Sequence, residues 1–162
     1  MGTENTDNGK YNSVEVAKYI VAYWNDKGAE INMTKLQKLL YIAYGSWLAV
    51  KNERLTDEHP QAWPYGPVFP TTRNYFLKIN FDNITFDNVP DELKKDNELE
   101  NIISEIYNSQ FGSWLSNKLS AWSHLKGSPW DKANNKKGFK WGDRIEDKDI
   151  KKYFREVVLY NE

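Results

Sequence analysis

The chain has 162 residues, 22 basic and 23 acidic side chains, a net charge of −1, 40% apolar and 15% aromatic residues, and no cysteine. That length suits one domain with a real core. The apolar content excludes disorder, the charge balance excludes a broadly basic nucleic-acid surface, and the lack of cysteine excludes disulfides, thiolate zinc sites and cysteine nucleophiles.

No apolar run approaches the ~20 residues of a membrane span, and the first residues show no signal-peptide core. A soluble, cytoplasmic protein with no membrane partner is therefore expected. Residues 1–11 are polar and aperiodic and read as a flexible tail ahead of one helical domain over 12–160. Asn12 with Glu15 reads as a capping box opening a first helix that carries Val16, Ala17, Ile20, Val21 and Trp24, with Gly28 closing it. Thr34 with Gln37 repeats that logic for a second helix over 34–52. The apolar face of this helix is wide enough to predict cover on more than one side, as for a central helix. Lys35 and Lys38 are expected on its exposed stripe.

Beyond Arg54 the helical period stops. Gln61-Ala62-Trp63 suits a short extended segment, and Trp63-Pro64-Tyr65-Gly66-Pro67-Val68-Phe69-Pro70 packs three prolines and three aromatics into eight residues. Each proline holds φ near about −65° and removes an N–H, so the stretch reads as a shaped loop. Apolar residues in a surface connection need either a core beneath or a partner above. A third helix starts near Pro70 or Thr71. Phe81 to Val89 alternates imperfectly among Asp and Asn, fitting a small hairpin and an irregular loop equally, and is read as a loop with some strand. Leu99, Ile102, Ile103 and Ile106 mark a fourth helix with acidic residues at its start. Trp114, Leu115, Leu119 and Trp122 mark a fifth, with Gly112 as the break between them. A final helix capped by Asp147 carries Ile150, Tyr153, Phe154, Val157 and Val158. The expected fold is mostly α: about six helices around the central one, a proline-aromatic loop, and room for a minor β-hairpin.

Chemistry is sparse. His59 sits in a polar loop, Asp57-Glu58-His59-Pro60, and is expected to be solvated, since neighbouring residues cannot all converge on one ion. His124, at the end of the fifth helix, reads as structural and partly buried rather than catalytic. No nucleophile elbow, P-loop or dinucleotide fingerprint is present. Enzymatic activity is not expected, and any activity would have to run through His124. No metal or cofactor is expected. Lys132, Lys136, Lys137 and Lys140 with Phe139 and Trp141 offer a basic-aromatic run that could stack on nucleic acid, but the neighbouring carboxylates favour a solvated loop.

Three separated motifs, Lys35-Leu36-Gln37-Lys38-Leu39-Leu40-Tyr41, then Ala62 to Pro70, then Leu119-Ser120-Ala121-Trp122-Ser123-His124 with Pro129-Trp130, resemble in order and spacing the Panacea domain of the SocA-like antitoxins. The resemblance covers about Val14 to Phe154. Two departures stand out: the family more often has a basic or polar residue at Pro64, and usually a threonine at Ser123. The resemblance implies a compact helical fold and an antitoxin of bacteria or phages that neutralises a partner toxin protein without catalysis. It also implies two alternatives, an adaptor delivering the toxin to an ATP-dependent protease, gripped by the tail or by Tyr160-Asn161-Glu162, and a stand-alone prophage interaction protein. Trp63, Tyr65, Gly66, Pro67, Phe69, His124 and Trp130 are the expected signature or partner-binding residues. For these, a role in holding the fold and a role in touching the partner stand level.

Overall fold

The computed structural model describes residues 9–159; positions 1–8 of the predicted tail and Tyr160-Asn161-Glu162 lie outside them. At the tail's inner end, Lys10 and Tyr11 already belong to the domain. Their backbone N–H groups donate to the carbonyls of Arg54 and Leu55 at 3.0 and 2.8 Å, and the Tyr11 hydroxyl donates to Asp96 at 2.6 Å.

Helix α1 (Ser13–Asp26) starts where predicted, with the Asn12 side chain accepting from the N–H groups of Val14 and Glu15. It ends in a Schellman arrangement, Gly28 N–H to Asn25 and Ala29 N–H to Trp24. Helix α2 (Met33–Lys51) is capped by Asn32, whose side chain accepts from the Lys35 N–H at 2.9 Å, and not by Thr34. Asn32 lies extended one residue before the helical backbone, the geometry a cap requires. From Lys35 to Ala49 every residue of α2 is buried. A helix hydrophobic all round must be wrapped, and α2 is packed against α1 and about half of the elements that follow.

The proline-aromatic segment is a hairpin and not a loop. β1 (Gln61–Trp63) pairs antiparallel with β2 (Gly66–Val68), Ala62 opposite Pro67, around the turn Pro64-Tyr65. Proline is tolerated because β2 is an edge of a two-stranded sheet. Pro70 then occupies the first position of α3 (Pro70–Phe76). Glu58 caps that helix: its carboxylate accepts from the N–H groups of Thr71 and Thr72 and from the Ser13 hydroxyl. Phe81–Asn83 and Phe86–Asn88 are two 3₁₀ turns, with no strand there, because Asn80 and Thr85 cap each turn locally.

Beyond them come α4 (Asp91–Lys94), α5 (Asn97–Asn108), α6 (Gln110–Ser113), α7 (Ser116–Ser123), α8 (Pro129–Asn134) and α9 (Asp147–Tyr153), the last running into a π turn over Phe154–Val158. The described residues hold nine helices; the three beyond the expected six are α4, α6 and α8, too short to show a period. Between α5 and α7, where a break at Gly112 was expected, the helical backbone is interrupted at Ser109 and again at Trp114-Leu115, with Gly112 inside the short α6. Gly112 serves close packing instead: a Cβ there would sit 2.0 Å from the Tyr107 carbonyl oxygen. Glu146, rather than Asp147, takes the cap position of α9. Asp147 turns inward, accepting from the Tyr44 hydroxyl and lying 3.5 Å from His59.

The core is aromatic. Trp24, Trp47, Tyr41, Tyr44, Phe69 and Phe154 are fully buried, with edge-on pairs such as Trp24–Tyr107, Tyr41–Phe154 and Tyr44–Phe69 at 5.1–5.7 Å. Such pairs add about 0.5–1.5 kcal/mol each beyond the area they bury.

Candidate interaction site at the hairpin

The first motif supplies the clamp that holds the second. Polar side chains on a fully wrapped helix must find partners inside the protein, and three near the start of α2 do so on backbone groups. The Lys35 ammonium donates to Gly112 O at 2.9 Å, the Lys38 ammonium to Pro67 O at 3.2 Å, and Gln37 Oε1 accepts from the Phe69 N–H at 2.7 Å. Both lysines are buried, Lys38 with 1% of its surface exposed, contrary to the expected exposed stripe. Burial holds the Lys38 amine down at about 8 and lowers Lys35 as well, against the opposing pull of Glu30. Prolines give the reason. Pro67 and Pro70 contribute carbonyls without N–H groups, so the segment cannot satisfy itself as a sheet, and side chains from α2 close the account.

The third motif covers the hairpin from the other side. The Trp130 indole N–H donates to Trp63 O at 2.8 Å, and the His124 ring stacks on Trp130 at 4.0 Å between centroids. Burial, and then the nearby charge of Lys38, lower the His124 pKa, which favours the neutral ring; its Nε2 is buried with no hydrogen-bond partner among the described residues. Ser128 caps α8 and donates its hydroxyl to Ser123 O at 2.9 Å, fixing α7 to α8. Gly66 sits between the two motifs at φ +115°; a Cβ there would lie 2.5 Å from Ser123 Oγ and 2.7 Å from Lys38 Cε. Only glycine lets β2 pass so close.

Six of the seven predicted residues therefore converge on one buried junction. Trp63 also holds Gln61 through its indole N–H and lies under the Arg73 guanidinium of α3. Phe69 is in the core against Tyr44. Tyr65 differs: at the tip of the turn, 74% of its surface is exposed.

His59 is half-buried and paired rather than freely solvated. Arg54 and Asp147 close around it at 3.0 and 3.5 Å. Burial opposes the charge on Asp147, but hydrogen bonds from His59 and Tyr44 outweigh it and leave that carboxyl below its usual range. Lys35, Gln37 and Lys38 are the residues that sequence reasoning misplaced. The available signal was their position, polar side chains in an otherwise apolar helix, ahead of a segment short of N–H donors.

Among the described residues no cluster of His, Asp and Glu is arranged to hold a metal ion, and no helix is long and apolar enough to cross a membrane. Comparison with known proteins finds a family match over residues 36–131, described as antitoxin SocA-like, Panacea domain. That span contains the hairpin, His124, Trp130 and two of the three clamp residues, Gln37 and Lys38. The chain is also 31% identical over 146 residues to antitoxin SocA of Caulobacter vibrioides (strain NA1000 / CB15N), an alignment covering 80% of this chain and 77% of that protein. No solved structure matches significantly. The hairpin, Gln37 and Lys38 of α2, all of α7 and the start of α8 lie inside the matched region, and the chain belongs to the SocA-like antitoxin family of the Panacea domain.

Proposed function

We propose that this chain neutralises a partner toxin protein by direct contact, without catalysis of its own, and that the hairpin tip is part of the contact. The family supplies the antitoxin role. The observation that carries the contact is Tyr65: an aromatic ring left 74% exposed on a hairpin whose neighbours are all tied down. Tyrosine is among the residues that anchor interfaces, and a rigid support reduces the ordering cost of binding. On this reading the protein acts in the cytoplasm, beside its toxin.

The test is co-expression of the chain with the product of the adjacent reading frame, scored as growth rescue, for wild type and Tyr65→Ala. Because Tyr65 is exposed, its loss should change stability by no more than about 0.5 kcal/mol, and rescue should be lost with the melting temperature unchanged. Full rescue by Tyr65→Ala would remove the hairpin tip from the contact. Failure of wild type to rescue any neighbouring product would remove the antitoxin role itself.

A further inference from the structure

The basic loop after α8 is part of the same structural unit as the hairpin. Gly142 N–H donates to Ala62 O and Ala62 N–H to Asp143 O, both at 2.8 Å, and Ile145 N–H donates to Pro60 O, so the loop end runs along the free edge of β1. This attachment carries Trp141 onto Trp130, with centroids 6.1 Å apart. Trp141 and Leu125, which follows His124, remain 54% and 52% exposed. Two further large apolar side chains thus stand out from the junction that supports Tyr65.

Charge is distributed unevenly along the chain. Residues 122–144 contain six lysines and arginines and two aspartates in a chain whose net charge is −1, so the remainder is acidic. The two aspartates are used locally: Asp131 accepts from Gly127 N–H and the Asn135 side chain, and Asp143 from Lys140 N–H. Lys136 pairs with Glu146 at 3.4 Å. Lys126, Lys132, Lys137 and Lys140 are exposed and have no ion-pair partner among the described residues.

We infer that this basic collar with its apolar knobs, Tyr65, Leu125 and Trp141, is the docking surface for an acidic segment of the partner protein bearing aromatic or aliphatic side chains. The inference rests on the contact reading above and names the chemistry of what is contacted. The knobs provide buried apolar area, and the lysines steer encounter and set register. Single-stranded nucleic acid is the poorer fit, since it needs a row of free ring faces. Here Trp130 is buried and Phe139 lies edge-on to Trp141 at 86°.

The probes are a fluorescein-labelled peptide of glutamate and leucine with one phenylalanine, its lysine-for-glutamate sibling, and a labelled oligothymidine, each titrated by anisotropy at low and high salt. The acidic peptide should bind tightest and weaken with salt. Lys132→Glu/Lys137→Glu/Lys140→Glu should weaken it by about tenfold or more, and Trp141→Ala by a comparable factor. The same charge change elsewhere, Lys78→Glu/Lys95→Glu/Lys118→Glu, should leave it within about twofold. Equal binding of the two peptides, tightest binding of oligothymidine, or indifference to the collar reversal would each overturn the inference. In the rescue assay, a collar-reversed variant that still neutralises the toxin would refute this surface and leave the antitoxin reading standing. Absence of rescue by wild type would refute that reading, and the peptide titrations would still judge the surface.

Discussion

Replacing Lys38 by methionine separates the cost of a buried charge from the value of the hydrogen bond it makes. The ammonium is 1% exposed, has one carbonyl partner, Pro67 O, and titrates at about 8 instead of 10.5. At neutral pH the amine is charged in both folded and unfolded chains, and the lowered value corresponds to about 3 kcal/mol of opposition to folding. Methionine, one atom shorter, fills most of the same space without the charge but leaves Pro67 O unpaired, a loss of about 1–3 kcal/mol. At about pH 7, Lys38→Met should therefore be as stable as wild type or more stable, by up to about 2 kcal/mol.

The pH dependence carries the sign. Between about 8 and 10.5 the unfolded chain holds the Lys38 proton while the folded chain has released it. Wild-type stability therefore rises with pH through that window, and the contribution is absent from the variant. From about pH 7 to about pH 9.5, wild type should gain about 2 kcal/mol relative to Lys38→Met. Burial also raises several tyrosines, including Tyr19 to about 12. Their effect has the opposite sign at high pH but is common to both proteins, so it cancels in the difference. Urea unfolding followed by tryptophan fluorescence at both pH values measures it. A difference constant to within about 0.5 kcal/mol would show an amine titrating in solvent and refute the clamp.

Gly66→Ala should destabilise by roughly 2–5 kcal/mol, from backbone strain at φ +115° plus the collision with Ser123 and Lys38. At about 2–4 °C per kcal/mol for a chain of this size, that is a fall in melting temperature of at least several degrees, and a fall under about 2 °C would contradict the close passage. Trp130→Phe keeps a ring for His124 to stack on but removes the donor to Trp63 O. It should lower the denaturation free energy by about 1–3 kcal/mol, and an unchanged urea midpoint would show that the α8–hairpin bond contributes nothing.

The readable parts of the fold were those whose causes are local. Asn12 and Gly28 bracket α1 because a cap is satisfied by atoms two to five residues away. Pro70 opens α3 because its ring suits a first turn. Phe81 to Val89 was ambiguous because Asp-Asn turn formers and broken alternation favour turn and strand alike, and two side-chain caps decided for turns. The aromatic excess pointed to interfaces, yet most of it builds the core around α2, and among the described residues Tyr65, Tyr75 and Trp141 are the exposed aromatics.

By itself the sequence determined the helical class, the central place of α2, the position of the proline-aromatic segment and the three motifs that mark the family. Periodicity, proline geometry and residue order carry all of these along a single strand of text. Tertiary structure alone decided that Lys35 and Lys38 turn inward, since their carbonyl partners lie 77 and 29 residues away. It also decided that Asp147 serves the interior and that six of the seven predicted residues pack together while Tyr65 faces out. A buried polar group must find a partner wherever the chain brings one, and that choice depends on which distant segments meet.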